Sequence, residues 1–157
     1  MRERERSRRI LVMLIGMFSG LLTGVCLQTA YAEGQQGTVV IIGNKNLPES
    51  SLSKTDIQNI FLGKKTKVDS TNITCVILKS GEVHENFLKG YLARTSSQYE
   101  QYWKKVVFSG QGKAPKVFET EETLIEYVKN TEGAIGYIGA ATAQKIESGS
   151  LRQFVVQ

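Results

Sequence analysis

Residues able to do chemistry fall at three points of this sequence. Lys79-Ser80-Gly81, followed by Val83, His84 and Glu85, sets a cation, a hydroxyl and a tight turn just ahead of a predicted helix. Unpaired amides in a helix's first turn, with the positive end of its dipole, attract anions, and Lys79 adds a full charge. Ser109-Gly110-Gln111-Gly112-Lys113 is the second point. Gly110 and its neighbours can offer backbone N–H groups and Lys113 a cation, although the run lacks the spacing of a nucleotide P-loop and also reads as a plain connector. The third is Gly139-Ala140-Ala141-Thr142, another helix start, with the Thr142 hydroxyl as donor.

Two other constellations carry less. Cys75 and His84 pair a thiol with a base, but they sit nine positions apart on different elements, with no oxyanion device and no third member. Catalysis is therefore not expected. His84, the only histidine, stands beside Glu82 and Glu85. A metal site needs more ligands in fixed geometry, so these residues read as a solvated helix turn, and no cofactor or metal is expected.

The elements that position these residues follow from periodicity. Ile73 to Leu78 is a short apolar run rich in β-branched residues, as in a strand covered on both faces, and it feeds the Lys79-Ser80-Gly81 turn. Val83, Phe87, Leu88, Tyr91 and Leu92 then recur at helical spacing, leaving Glu82, Glu85, Lys89 and Arg94 to face water. Upstream, Thr38 to Ile42 reads as a strand and 43–51 as a loop. Ser53 with Asp56 is a capping-box variant opening a helix that Gly63 ends, and Lys64 to Thr71 is a charged connection. Downstream, Ser97 and Glu100 stand at capping-box spacing ahead of a helix whose Tyr99, Tyr102, Trp103, Val106 and Val107 form a bulky core face. Lys116 to Phe118 is a short strand and Thr120 caps a further helix. Ala134 to Gly139 is a strand with glycines for close approach, Ala140 to Ile146 a short helix, and Leu151 to Val156 a last strand. This alternation predicts an α/β three-layer sandwich around a mostly parallel sheet of about five strands, with right-handed crossovers and ligands beyond the strands' carboxyl ends.

Composition narrows the function classes. Arg2 to Arg9 is a basic stretch, Ile10 to Leu22 an apolar one, and Ala30-Tyr31-Ala32 a small-x-small cleavage site. Residues 1–32 thus read as a signal peptide and 33–37 as a flexible new N-terminus, with an uncleaved anchor as the alternative. The chain carries +5 formally, from 20 basic and 15 acidic residues. Without the leader's five Arg and two Glu, 15 and 13 remain, or +2. Such a balanced surface does not fit nucleic-acid binding. Cleavage also removes Cys26 and leaves Cys75 alone, so no intrachain disulfide can form, and Cys75 reads as a small buried hydrophobe.

Asp56 to Lys64 (DIQNIFLGK), then Tyr102-Trp103 with Phe108-Ser109-Gly110, then Gly133 to Ile138 (GAIGYI) resembles the phosphate-type substrate-binding proteins of ABC transporters, in particular their short single-domain relatives. The resemblance spans about Val39 to Val156. It implies a periplasmic-binding-protein-like lobe over 38–157, a periplasmic location, and recognition of phosphate or another small anion for uptake or sensing. In the relatives the corresponding lobe offers an Arg after the central strand and a Ser-Gly-Thr group opening the next helix. Counting back from Phe87, the Arg position falls on Lys79 and the other three on Val83, His84 and Glu85. Lys79 keeps the charge without the guanidinium fork, Val83 lacks a hydroxyl, and Glu85 brings a carboxylate. The expected ligand set is Lys79, Ser80, Gly81, Val83, His84, Gly110, Lys113 and Thr142. A lone lobe cannot close over a solute, so a transporter, a sensor or a second lobe supplied by dimerisation is the expected partner. The alternative is a protein–protein interaction module of the cell envelope that has lost its solute.

Overall fold

Apolar runs that lack alternation need cover on both faces, and a central sheet flanked by helices provides it. The computed structural model describes residues 38–48 and 51–156; the expected signal peptide (1–32) and polar N-terminus (33–37) lie outside the described residues. Strands β1 (Val39–Gly43), β4 (Thr74–Leu78), β5 (Lys116–Phe118), β6 (Ala134–Gly139) and β7 (Arg152–Phe154) form one sheet in the order β5-β4-β6-β1-β7. β4 pairs parallel with both β5 and β6, whereas β1 runs antiparallel to β6 and to β7. Four of the five strands therefore point one way. The mostly parallel sheet is as expected, and the reversal of β1 is the feature that local pattern does not reveal.

Helices α1 (Lys54–Phe61), α2 (Glu82–Phe87), α3 (Ser96–Phe108), α4 (Glu121–Asn130) and α5 (Ala140–Ala143) surround the sheet, and α2 runs directly into a π-helical turn, Leu88–Leu92. Two caps match expectation. Ser53 and Asp56 form a reciprocal capping box, and Thr120 accepts from the Thr123 amide. Lys65 also binds the Asp56 carboxylate at 2.7 Å, and these hydrogen bonds, Lys65 first and Ser53 second, draw its pKa down to about 2. The α3 cap differs from the reading of Ser97 and Glu100. The box uses Thr95 and Gln98 instead, because the preceding π turn ends at Ala93 in left-handed geometry and delivers the chain two residues earlier. Within 64–71 begins a hairpin that the charged connection conceals, β2 (Lys67–Val68) with β3 (Thr71–Asn72). Two-residue strands leave no periodicity to read.

The run IFLG and the later Tyr-Trp are joined by structure. Tyr99 and Tyr102 donate to the carbonyls of Phe61 (2.8 Å) and Leu62 (2.7 Å), two of the acceptors orphaned at the end of α1. Gly63 sits with φ +70°, and a Cβ there would stand 2.7 Å from the Trp103 ring. Asn44, inside the segment read as loop, is buried, and its amide donates to the carbonyls of Val128 and Lys129, closing the end of α4. Among the described residues no helix is long and apolar enough to cross a membrane.

At the centre of the sheet the expected close approach is found at Gly136. A Cβ there would meet Val76 Cγ2 at 2.7 Å and Leu124 Cδ2 at 3.0 Å, so α4 lies directly on β6. Gly136→Ala is expected to lower unfolding free energy by about 1–3 kcal/mol through overpacking, measured by urea denaturation. Adding Val76→Ala should return part of that loss, making the double variant more stable than the sum of the single changes.

Candidate functional site

Since β4, β5 and β6 run parallel, the segments that follow them leave the sheet at one edge. Lys79-Ser80-Gly81, Glu119-Thr120 and Gly139-Ala140 are therefore neighbours, and Thr142 lies in the short helix that follows the third. The loop holding Gly110 and Lys113 precedes β5 and so enters the sheet from the opposite end. Lys113 borders a hollow with Thr74 and Cys75 at the start of β4. At about 3.3 Å per residue, that is roughly 16 Å from Lys79. Gly110 and Lys113 do not form a second wall beside Lys79. The residue opposite Lys79 is Glu119, which periodicity cannot select because its place depends on strand register.

Carboxylates already occupy two of the donors of this edge. Lys79 Nζ lies 2.7 Å from Glu119 Oε1, with both side chains largely exposed, and this hydrogen bond, then the charge behind it, raises the lysine pKa. Glu121 Oε2 accepts from the Gly139 amide at 2.8 Å, filling the donor at the third junction. Glu85 turns away and accepts from the Ser96 hydroxyl, tying α2 to α3. Ser80 and Gly81 are exposed, and the first amides of α2 have no side-chain cap. Val83 is half-buried, with Cγ2 directed at Gly139. Lys79 thus meets Glu119, and Glu121 stands on the neighbouring junction.

His84 corrects the reading of a solvated turn. It is only 4 % exposed, and Nδ1 lies 2.6 Å from the hydroxyl of Tyr137. The same hydroxyl accepts from the Leu78 amide at 3.2 Å, so its proton is free for Nδ1, which acts as the acceptor of a neutral ring. Burial lowers the His84 pKa, with the charges of Glu85 and Glu100 opposing. Burial likewise raises that of Tyr137. The pair is locked beneath the edge, with the Nδ1 of His84 spent on Tyr137. A sequence signal exists: His84 is three and four residues ahead of Phe87 and Leu88, on the buried stripe.

Cys75 is half-buried rather than fully enclosed, on the wall of the hollow at the start of β4. Its Sγ donates to the Ile60 carbonyl at 3.3 Å, and burial pushes the thiol pKa up to about 12, so no thiolate forms near neutral pH. Among the described residues no group of three or more His, Cys, Asp or Glu could hold a metal ion.

An apolar groove of about 650 Å³ runs beside β5, and no sequence pattern marks it. Ile77, Trp103, Val107, Phe108, Pro115 and Val117 line it, with Lys79 and His84 also on its wall. The aromatic face of α3 is core at Tyr99 and Trp103. Val107 departs from that expectation at 48 % exposed, and Phe108 next to it is 96 % exposed.

No family model matches the sequence, and no curated protein is similar to it at a significant level. Solved structures do match its fold. A protein of Clostridium perfringens assigned as a phosphate ABC transporter substrate-binding protein, with bound phosphate, superposes with TM-score 0.56 at 18 % identity, over 75 % of this chain and 44 % of its own. PstS from Borrelia burgdorferi superposes with TM-score 0.51 at 16 % identity, over 76 % and 47 %. The fold is therefore that of the phosphate-type substrate-binding proteins, and the chain spans less than half the length of the structures it matches.

The His84 environment makes stability depend on pH in a defined direction. Its folded pKa lies below the ordinary value of about 6.5, so the unfolded chain binds the proton first. Stability is complete above about 6.5 and falls as pH drops toward the lowered folded value. Urea midpoints measured from about pH 7.5 to 5 should show this decline. His84→Gln should flatten it even where the variant is less stable throughout.

Proposed function

We propose that this chain is a non-enzymatic recognition lobe of the cell envelope, built on the phosphate-type substrate-binding fold but engaging a protein partner in place of phosphate. The observation that carries this is the pair of carboxylates, Glu119 on Lys79 and Glu121 on the Gly139 amide, which take the edge's lysine and one of its backbone donors. A phosphate taking those two donors would have to displace both carboxylates and then sit beside them, which costs Coulomb energy in proportion to their closeness. The fold's ancestry supports a recognition role, and the leader pattern over 1–32 supports export and action of residues 33–157 in the periplasm.

A second reading is favoured by one feature. The Lys79–Glu119 pair is exposed, and exposed ion pairs are weak and screened by salt. Glu119 can therefore swing away and free Lys79, with Ser80 and Gly81, for loose binding of phosphate or another small anion.

Thermal unfolding with phosphate, sulfate and chloride at matched ionic strength separates the two. Any ligand of the native state raises the melting temperature by mass action. Phosphate should give no rise beyond the other salts, and a Glu119→Gln/Glu121→Gln variant should acquire one. A phosphate-specific rise in the wild type that Lys79→Ala abolishes would establish the second reading.

A further inference from the structure

We infer that the open edge of β5 and the apolar groove beside it form the docking site, and that the occupant is an extended, acidic and apolar segment of a partner polypeptide that adds a strand to the sheet. This inference rests on the interaction-lobe reading and gives it a surface and a partner chemistry. β5 ends the sheet order, and no other strand of the described residues lies on its outer side. The Lys79 amide donates to the Phe118 carbonyl at 2.8 Å, so Phe118 turns its backbone groups toward β4. By strand alternation Val117 turns its own N–H and C=O outward, available to an added strand.

The side chains around that edge fit the same occupant. Val117 is 52 % exposed and Phe108 96 %, and with Val107 they border a groove whose floor includes Ile77 and Trp103. An exposed aromatic beside a recess is the kind of anchor that dominates interface energetics. Charge then selects the partner. Lys65, Lys79, Lys104, Lys113 and Lys116 border the two hollows flanking β5, against Glu100, with Asp56 on Lys65 and Glu119 on Lys79. Pairing Lys79 with Glu119 and Lys104 with Glu100 leaves Lys113 without an acidic counterpart among the described residues, while Lys116 Nζ rests over the Tyr127 ring at 4.2 Å and keeps its full charge with no carboxylate on it. A second copy of this chain would bring the same lysines together across the edge. Lys116 and the adjacent Pro115 are also devices that keep sheet edges from pairing with themselves. An acidic segment meets no such repulsion.

The test is selection from a displayed library of random peptides against the purified protein, followed by amide mapping of the selected binders. The expected peptides alternate apolar with acidic residues, shift the amides of 104–118, and slow hydrogen exchange at the Val117 amide. Phe108→Ser and Val117→Lys alter only exposed positions, and each should weaken binding at least about tenfold, as should replacing the peptide's acidic residues by lysine. Selection of no peptide, of basic peptides, or of binders indifferent to both substitutions overturns the inference, as does self-association of the protein through this edge. Binders mapping to Ser80, Gly81 and Thr142 would overturn the placement and leave the interaction-lobe reading standing. A phosphate-specific melting shift with no peptide binders would remove both.

Discussion

Tyr137 is the contact on which the geometry of the candidate site depends. Its ring is fully buried and lies against Phe87 with centroids 3.8 Å apart and planes within 8°. Phe61 packs on it at 5.9 Å. Its hydroxyl takes the amide of Leu78 at the end of β4 and meets His84 in the first turn of α2. One side chain on β6 therefore fixes the strand, the turn and the helix start that together place Lys79, Ser80 and Gly81. A buried hydroxyl left without partners costs about 1–3 kcal/mol, so the neutral His84 ring is part of what lets Tyr137 stand there.

That arrangement makes a rigid frame with an unusual electrostatic rim. Three parallel strands deliver three junctions to one edge, the geometry in which α/β folds place ligands. In this chain two of the rim's donors, the Lys79 ammonium and the Gly139 amide, are met by Glu119 and Glu121. The fold shared with phosphate-type substrate-binding proteins fixes where the edge lies, and its chemistry must be read from this chain's own residues. The groove beside β5 lies on the flank of the same frame, where Phe108 and Val117 leave apolar surface in contact with water.

Much of the frame is legible in the residues. Uninterrupted β-branched runs locate β1, β4 and β6, and Ser53 and Thr120 announce their helices because a side-chain cap is a local event. The Thr95 cap is masked by an overlapping candidate two residues on, and only the left-handed Ala93 decides between them. The reversal of β1 and the opposition of Glu119 to Lys79 are register facts between segments far apart in sequence. Gly110 and Lys113 group with Lys79 on composition, whereas strand direction sends their loop to the other end of the sheet. The spacing of His84 to Phe87 and Leu88 places it inside; its polarity argues against that correct reading.

Glu121 holds the Gly139 amide, and on the proposed reading this contact keeps phosphate from that donor; its most direct measurement is the Gly139 amide resonance in solution. That proton is expected to be shifted downfield by its carboxylate partner, to move upfield in Glu121→Gln, and to stay unchanged when phosphate is added to the wild type. A Gly139 resonance that responds to phosphate in the wild type, together with those of Ser80 and Gly81, would contradict that reading and restore this edge as a solute site.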